Sequence, residues 1–217
     1  MQLSAMPRQP AFTPHELTAI SRVWEQFPLR DRALFTLMMN SGLRITEGLR
    51  LRLSNVWDGS NVRPAIAAGR RPAPNGRRPG KKPVCPRVIP INDALRPVLS
   101  DYVGALVAAG KAKRDRPLFM SRMKRPLSRR MATLRLREIL LAAGLTQRIG
   151  YGWHSARRSF AVAIFNVTAQ DAVVTSRTLG NSSLQITMDY LPTLDDAGAA
   201  AVLALAQPDP RISAATR

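Results

Sequence analysis

The chain has 217 residues, enough for one ordinary domain, and its 45% hydrophobic content is typical of a globular protein with a buried core. Lys and Arg total 33 against 14 Asp and Glu, and the resulting net charge of +19 favours a polyanionic partner. No apolar run is long enough to span a membrane, no secretory signal is recognisable, and a single cysteine, Cys85, excludes an internal disulfide framework. We therefore expect a cytoplasmic protein, with nucleic acid as the first candidate partner and an anionic membrane surface as the second.

The amino-terminal third predicts three helices. Thr13 can cap a first helix, with Pro14 in its first turn and Glu16 three residues after the cap. A second helix is predicted from Leu29 to Ser41, and Gly42 would end it. A third helix is predicted from Arg44 to Leu53.

The middle of the chain predicts a β-hairpin. Two short apolar runs, Val62–Ala68 and Val84–Ile91, flank a loop that is rich in Gly, Pro and Arg. Most of the excess charge also lies here, because residues 63–148 contain 21 basic and 4 acidic side chains, a net +17. Asn92 is then expected to cap an amphipathic helix with apolar positions from Leu95 to Leu106.

The rest of the chain is predicted to be helical. The expected helices are Ser128–Ala143, His154–Asn166, Ala169–Leu179, Ser182–Leu191 and an alanine-rich helix from Thr193 to Ala206. We therefore predict a mainly α fold with a small antiparallel β-sheet (α+β), formed by residues 13–207. Residues 1–12 would be a flexible segment and residues 208–217 a disordered tail.

Several kinds of active site are not indicated. The two histidines, His15 and His154, are far apart in sequence, no acidic cluster is present, and neither a phosphate-binding loop nor a dinucleotide fingerprint occurs. We therefore expect no metal and no cofactor. What remains is an ordered set of arginine, lysine, histidine and tyrosine residues.

These residues lie in three short segments with compatible spacing. The segments are Ser41-Gly42-Leu43-Arg44-Ile45-Thr46-Glu47, His154-Ser155-Ala156-Arg157, and Leu179-Gly180-Asn181-Ser182-Ser183 followed by Thr187 and Tyr190. Together they resemble the arginine box, the His-x-x-Arg box and the nucleophile box of the tyrosine recombinases (phage-integrase family). The resemblance covers about Phe12 to Leu191 and includes Lys82, at the place of the family's hairpin lysine.

The resemblance implies a role for each residue, and simple chemistry supports these roles. Arg44 and Arg157 would bind the non-bridging oxygens of a DNA phosphate, where negative charge builds up in the transition state. Tyr190 would be the nucleophile and form a 3′-phosphotyrosyl link, which releases a 5′-hydroxyl. Lys82 would protonate that leaving oxygen, and His154 would bind the phosphate or help accept the tyrosine proton.

Other residues would support this chemistry. Glu47 is expected to hold the arginines in place, and Lys81 is the alternative general acid. Asn181 stands where the family usually has His or Trp, and it can only donate or accept a hydrogen bond. Contacts to DNA are expected from basic residues of the middle segment: Arg77, Arg78, Lys81, Arg87, Arg122, Lys124, Arg125, Arg129 and Arg130.

The resemblance also implies double-stranded DNA as partner and a homo-tetramer assembled on two DNA sites. The stretch before Arg44 is too short for the family's separate amino-terminal domain, so an accessory DNA-binding protein is a possible further partner. In this shortness the chain resembles the fimbrial phase-variation invertases. Three alternatives stay open: a DNA-binding regulator that no longer cuts, a relaxase similar to the type IB topoisomerases, and a structural basic protein such as a ribosomal one.

Overall fold

A computed structural model describes residues 9–68, 87–145, 150–181, 183–188 and 191. The described elements are α1 (Pro14–Arg22), α2 (Leu29–Ser41), α3 (Ile45–Gly48), β1 (Ala65–Ala68), β2 (Arg87–Pro90), α4 (Leu95–Ala108), α5 (Arg129–Ala142), α6 (Trp153–Val167), α7 (Ala172–Leu179) and α8 (Leu184–Met188). The mainly α fold with a small antiparallel sheet is therefore confirmed. Within these ranges, no helix is both long and apolar enough to cross a bilayer.

The first helix begins as its sequence predicts. The Thr13 side chain accepts a hydrogen bond from the backbone N–H of Glu16, and the Glu16 carboxylate accepts one from the N–H of Thr13. The carboxylate of Glu16 is buried, and it also accepts a hydrogen bond of 2.7 Å from the hydroxyl of Tyr151. Phe12 is buried as well and stacks on the Tyr151 ring, with centroids 5.0 Å apart. The core therefore includes Phe12, although residues 1–12 were predicted to be flexible.

Helix α2 lies at the centre of the core, where it packs against α4 and α6. Its bounds agree with the prediction, and Gly42 follows it with φ +58°. An added Cβ at Gly42 would lie 2.5 Å from the Phe160 ring, so both the backbone angle and the close approach of α6 require glycine here. The chain therefore leaves α2 in a fixed direction that places Arg44 two residues later.

The predicted hairpin is present at its base. Strands β1 and β2 pair antiparallel, with Ile66 opposite Ile89 and both side chains buried. These two isoleucines attach the hairpin to the core, and the predicted loop between the strands lies outside the described residues.

Helix α3 is much shorter than the predicted helix from Arg44 to Leu53. It ends at Gly48, because the following backbone bonds to the segment after α4 instead of continuing the helix. The carbonyl of Leu51 accepts from the N–H of Leu118 at 2.8 Å, and the N–H of Leu53 donates to the carbonyl of Arg116 at 2.9 Å. These partners are distant in sequence, so local periodicity could not reveal them.

Three other helix starts also differ from the prediction. Helix α7 begins at Ala172 because Ala169 and Gln170 have φ of +50° and +66°, which no right-handed helix allows. Asn92 does accept from the N–H of Leu95, but the helix that follows begins only at Leu95. Helix α8 is shorter than predicted, and the predicted last helix, 193–206, lies outside the described residues.

Candidate active site

Three segments meet around a pocket of about 160 Å³. The lining residues are Arg44, Ile45, Thr46, Arg129, Trp153, His154 and Arg157. Arg129 is the first residue of α5, and Trp153 and His154 are the first two of α6. The amino-terminal ends of two long helices and three arginines therefore border one pocket, an arrangement that favours a bound anion.

Arg44 lies at the rim of this pocket and remains partly exposed. Its backbone N–H donates to Oε2 of Glu47 at 2.7 Å, and its Nη1 lies 3.7 Å from Oε1 of the same carboxylate. Its side chain is 38% exposed, so solvent or a ligand can reach its other donors. Glu47 thus lies beside Arg44.

Arg157 is fully buried at the floor of the pocket. Its Nη1 donates to the carbonyl of Gly42, and its Nη2 donates to the carbonyl of Leu179 at 2.9 Å and to Oδ1 of Asn181 at 2.7 Å. The two carbonyls belong to the carboxyl-terminal ends of α2 and α7, where the helix dipole is negative. This field compensates the buried charge and fixes the guanidinium group.

The environment of His154 favours its neutral form. His154 is exposed at the pocket, but partial desolvation of its ring lowers its pKa below the ordinary value of 6.5, and the nearby charges of Arg157, Arg129 and Arg44 lower it further. A neutral imidazole can accept a proton at neutral pH, whereas an imidazolium cannot. The residue therefore fits the role of proton acceptor or of phosphate ligand.

Asn181 connects the pocket to the last described helix. Its Oδ1 accepts from Arg157, and its Nδ2 donates to Oγ1 of Thr187 in α8 at 2.9 Å. Both capacities of the amide are used, so an uncharged side chain here still bridges two elements. Thr187 precedes Tyr190 by three residues, but Tyr190 itself lies outside the described residues.

Other predicted residues also lie outside the described ranges, namely Lys81, Lys82, Arg77 and Arg78. Arg122, Lys124 and Arg125 lie together on an exposed turn, in which the N–H of Ser121 donates to the carbonyl of Arg125. Arg130 is exposed on α5, whereas Arg129, predicted as a DNA contact, also borders the pocket.

Arg87 is placed differently from the prediction. The sequence analysis expected it to contact DNA, but its side chain is only 12% exposed and its guanidinium group is directed into the protein. It donates to the carbonyls of Leu179 and Gly42. Sequence reasoning missed this inward direction of the side chain, because only the fold brings α2, β2 and α7 together.

Among the described residues, no group of three His, Cys, Asp or Glu side chains could hold a metal ion.

Comparison with known proteins finds a matching family and several relatives. The sequence matches the profile of the phage integrase family over residues 10–196. It is 33% identical over 162 residues to a tyrosine recombinase XerC of Rhodospirillum centenum, covering 75% of this chain and 42% of the relative. It is 30% identical over 163 residues to a tyrosine recombinase XerD of Corynebacterium glutamicum, covering 75% and 48%. The chain thus spans less than half the length of these relatives.

The solved structures with similar folds include recombinases. The XerA recombinase superposes with a TM-score of 0.69 at 16% identity, covering 94% of this chain and 66% of that one. The Tn1549 transposon integrase in complex with transposon right end DNA superposes with a TM-score of 0.70 at 14% identity, covering 95% and 68%. Because the sequence identities are so low, these superpositions establish only the fold.

Proposed function

The chain belongs to the phage integrase family, and from this membership we propose that it cuts and rejoins double-stranded DNA through a covalent link to Tyr190. The observation that carries the proposal is the pocket in which Arg44, His154 and Arg157 converge. Its size and its cationic lining suit a phosphodiester group, and the three residues come from the boxes that suggested this chemistry.

The proposed reaction conserves the energy of the phosphodiester bond. The phenol oxygen of Tyr190 attacks the phosphorus, and a 3′-phosphotyrosyl bond forms as the bond from phosphorus to the 5′ oxygen breaks. Neutral His154 takes the phenol proton, and Lys82 protonates the departing oxygen to give a 5′-hydroxyl. In the second step a 5′-hydroxyl attacks the phosphorus and Tyr190 leaves, so rejoining needs no ATP.

The two arginines would stabilise the transition state. Donors held in place before the reaction stabilise developing charge better than donors that must reorganise, and Arg157 is held by three acceptors of the protein. Asn181 would contribute by fixing Arg157 and α8 relative to each other. Arg44, which is more exposed, would close onto the phosphate from the rim of the pocket.

The biological outcome that we propose is site-specific recombination: integration, excision, inversion or resolution. Two of the similar relatives are named tyrosine recombinases, and the Tn1549 integrase was solved with DNA. We further propose that four copies assemble on two DNA sites, in the nucleoid of the cell, with the helix predicted at 193–206 packing on a neighbouring copy. We also propose that an accessory DNA-binding protein takes part, and that the chain is similar to the fimbrial phase-variation invertases.

The test is covalent trapping on nicked DNA duplexes from around the gene, which prevent rejoining. We expect a protein–DNA adduct on denaturing gels for the native chain and none for Tyr190→Phe. Tyr151→Phe is the matched control, because it removes a hydroxyl that bonds to Glu16 and keeps the ring that stacks on Phe12, so the adduct should form as in the native chain. An adduct that persists in Tyr190→Phe would refute the assignment.

Two other outcomes would replace the proposal. DNA binding without an adduct on any duplex would indicate a regulator that has lost cleavage. Relaxation of supercoiled DNA without exchange between defined sites would indicate a relaxase similar to the type IB topoisomerases.

A further inference from the structure

Arg87 is the first residue of β2 and reaches from the hairpin to two helix ends. Its Nη1 donates to the carbonyl of Leu179, at the end of α7. Its Nη2 lies 3.4 Å from the carbonyl of Gly42 and 3.5 Å from Oε2 of Glu47. One side chain therefore connects β2, the turn between α2 and α3, and the end of α7.

The same two carbonyls also hold Arg157. Two guanidinium groups thus share the carbonyl oxygens of Gly42 and Leu179, each of which has two lone pairs. Their mutual repulsion is offset by Glu47 and by the negative ends of two helices. Burial lowers the pKa of Arg87, with Glu47 acting in the opposite direction, which agrees with a desolvated but compensated cation.

The backbone leaves room for this guanidinium group. Gly180 has φ +62°, and a Cβ at this position would lie 2.5 Å from Nη1 of Arg87. The positive φ of the turn that ends α7 therefore favours glycine at 180, and a side chain here would also displace the end of the Arg87 side chain. Asn181, which bonds to Arg157, follows directly.

We propose that Arg87 is a positioning residue for the cleavage reaction, which fixes Arg157 and Asn181 relative to Arg44. The inference rests on the proposed function and deepens it. Arg87 does not face the pocket, so it acts through the two carbonyls and Glu47 instead of through the phosphate. It also anchors the strand into which the segment bearing Lys82 runs, five residues along the chain.

Arg96 provides a matched control. It too is a partly buried arginine that bridges backbone carbonyls, since its Nη1 and Nη2 each lie 3.2 Å from a carbonyl, of Val62 and Ile91 respectively. Its hydrogen bonds go to the carbonyls of Val62, Arg63 and Ile91, none of which lines the pocket. Arg96→Ala therefore removes a comparable set of hydrogen bonds from the hairpin region without touching the site.

The first experiment measures adduct formation at saturating nicked DNA. Arg87→Ala should slow the rate about 100-fold, the scale expected for small misplacements of catalytic groups, with the Kd for DNA nearly unchanged. Arg96→Ala should keep the rate per folded molecule. Arg87→Lys should stay slow, because one ammonium group cannot reproduce the planar fork. A parallel loss of DNA affinity with a shallower salt dependence would show a phosphate contact and overturn the proposal, as would full activity of Arg87→Lys.

A second experiment does not depend on activity. Hydrogen–deuterium exchange should accelerate in Arg87→Ala at the N–H groups of Gly180 and Asn181, which bond to Arg177 and Ser176. Arg96→Ala should leave these groups protected. Equal exchange in the two variants would refute the positioning role even if no DNA were ever cut. If the native chain forms no adduct but this difference is seen, the proposed function fails and the structural role of Arg87 stands.

Discussion

At the scale of single residues, the buried charge of Arg157 is the central feature of the site. A guanidinium group without solvent requires compensation, and here backbone carbonyls provide it together with one neutral amide. Because these acceptors are at helix ends, the packing of the core fixes the position of the group. Replacement of the Asn181 amide therefore tests how much the fixed position of Arg157 contributes to the rate of adduct formation.

Asn181→Ala should reduce the rate of adduct formation about tenfold or more. It removes the bond to Arg157 and the bond to Thr187, and losing a hydrogen bond to a charged group costs about 1.5–3 kcal/mol. Asn181→His should retain most of the rate, since an imidazole can accept and donate at once. Asn166→Ala, an exposed asparagine on α6, serves as the control. An unchanged rate in Asn181→Ala would contradict the bridging role.

The pKa of His154 in the protein without DNA should be below 6.5, as measured by NMR titration of its ring protons. Because the folded state binds the proton more weakly than the unfolded state does, the free energy of unfolding should decrease as the pH falls below 6.5. Arg129→Ala removes one neighbouring charge and should raise this pKa, whereas Arg130→Ala should not. A pKa above 6.5 in the native chain would be inconsistent with this environment.

At the scale of elements, the turns that end α2 and α7 fix the site. Both end in a glycine with positive φ, and both present their last carbonyls to the arginines. The sequence analysis predicted the α2 stop at Gly42, because glycine after an apolar periodic run is a strong local signal. It could not predict that the two helix ends meet, since that depends on packing between distant segments.

Gly42→Ala should destabilise the fold more than Gly110→Ala. Both positions have similar positive φ, which costs a non-glycine residue about 1–2 kcal/mol, but only Gly42 has a neighbour in the way. Overpacking against Phe160 should add about 1–3 kcal/mol to the loss in the free energy of unfolding, measured with urea. Equal losses at the two positions would mean that Phe160 moves aside freely.

Some helix bounds were predicted correctly and others were not, and each outcome has a physical reason. Helices α1 and α5 begin directly after Thr13 and Ser128, whose side chains cap them locally. Helix α3 was overextended because its continuation bonds to the chain near Leu118, far away in sequence. In the same way, the boxes identified Arg44, His154 and Arg157 as members of one site, but they gave no indication that Arg87 would be directed inward.

At the scale of the whole molecule, the dominant property is the charge of +19. The exposed turn with Arg122, Lys124 and Arg125 and the start of α5 with Arg129 and Arg130 belong to the basic middle segment. Cations that contact phosphates release counterions, so the affinity for DNA should decrease steeply as salt increases.

Arg125→Ala should reduce the slope of log K against log salt by about one, measured by fluorescence anisotropy on a labelled duplex. Arg22→Ala removes an exposed arginine of α1, outside the basic segment, and should leave the slope unchanged. Equal slopes for Arg125→Ala and the native chain would exclude the exposed turn from the DNA-binding surface.

The shared carbonyls of Gly42 and Leu179 have a consequence for how this sequence can change during evolution. A side chain at Gly180 would strain the turn and displace the end of Arg87, and a shorter residue at 87 would leave Glu47 and both carbonyls with fewer donors. Single substitutions at 87 or 180 should therefore be selected against, and a shorter residue at 87 would not rescue a side chain at 180, because the backbone angle there still disfavours it. In descendants of this gene, Arg87 and Gly180 should therefore both be retained, although they are far apart in the chain.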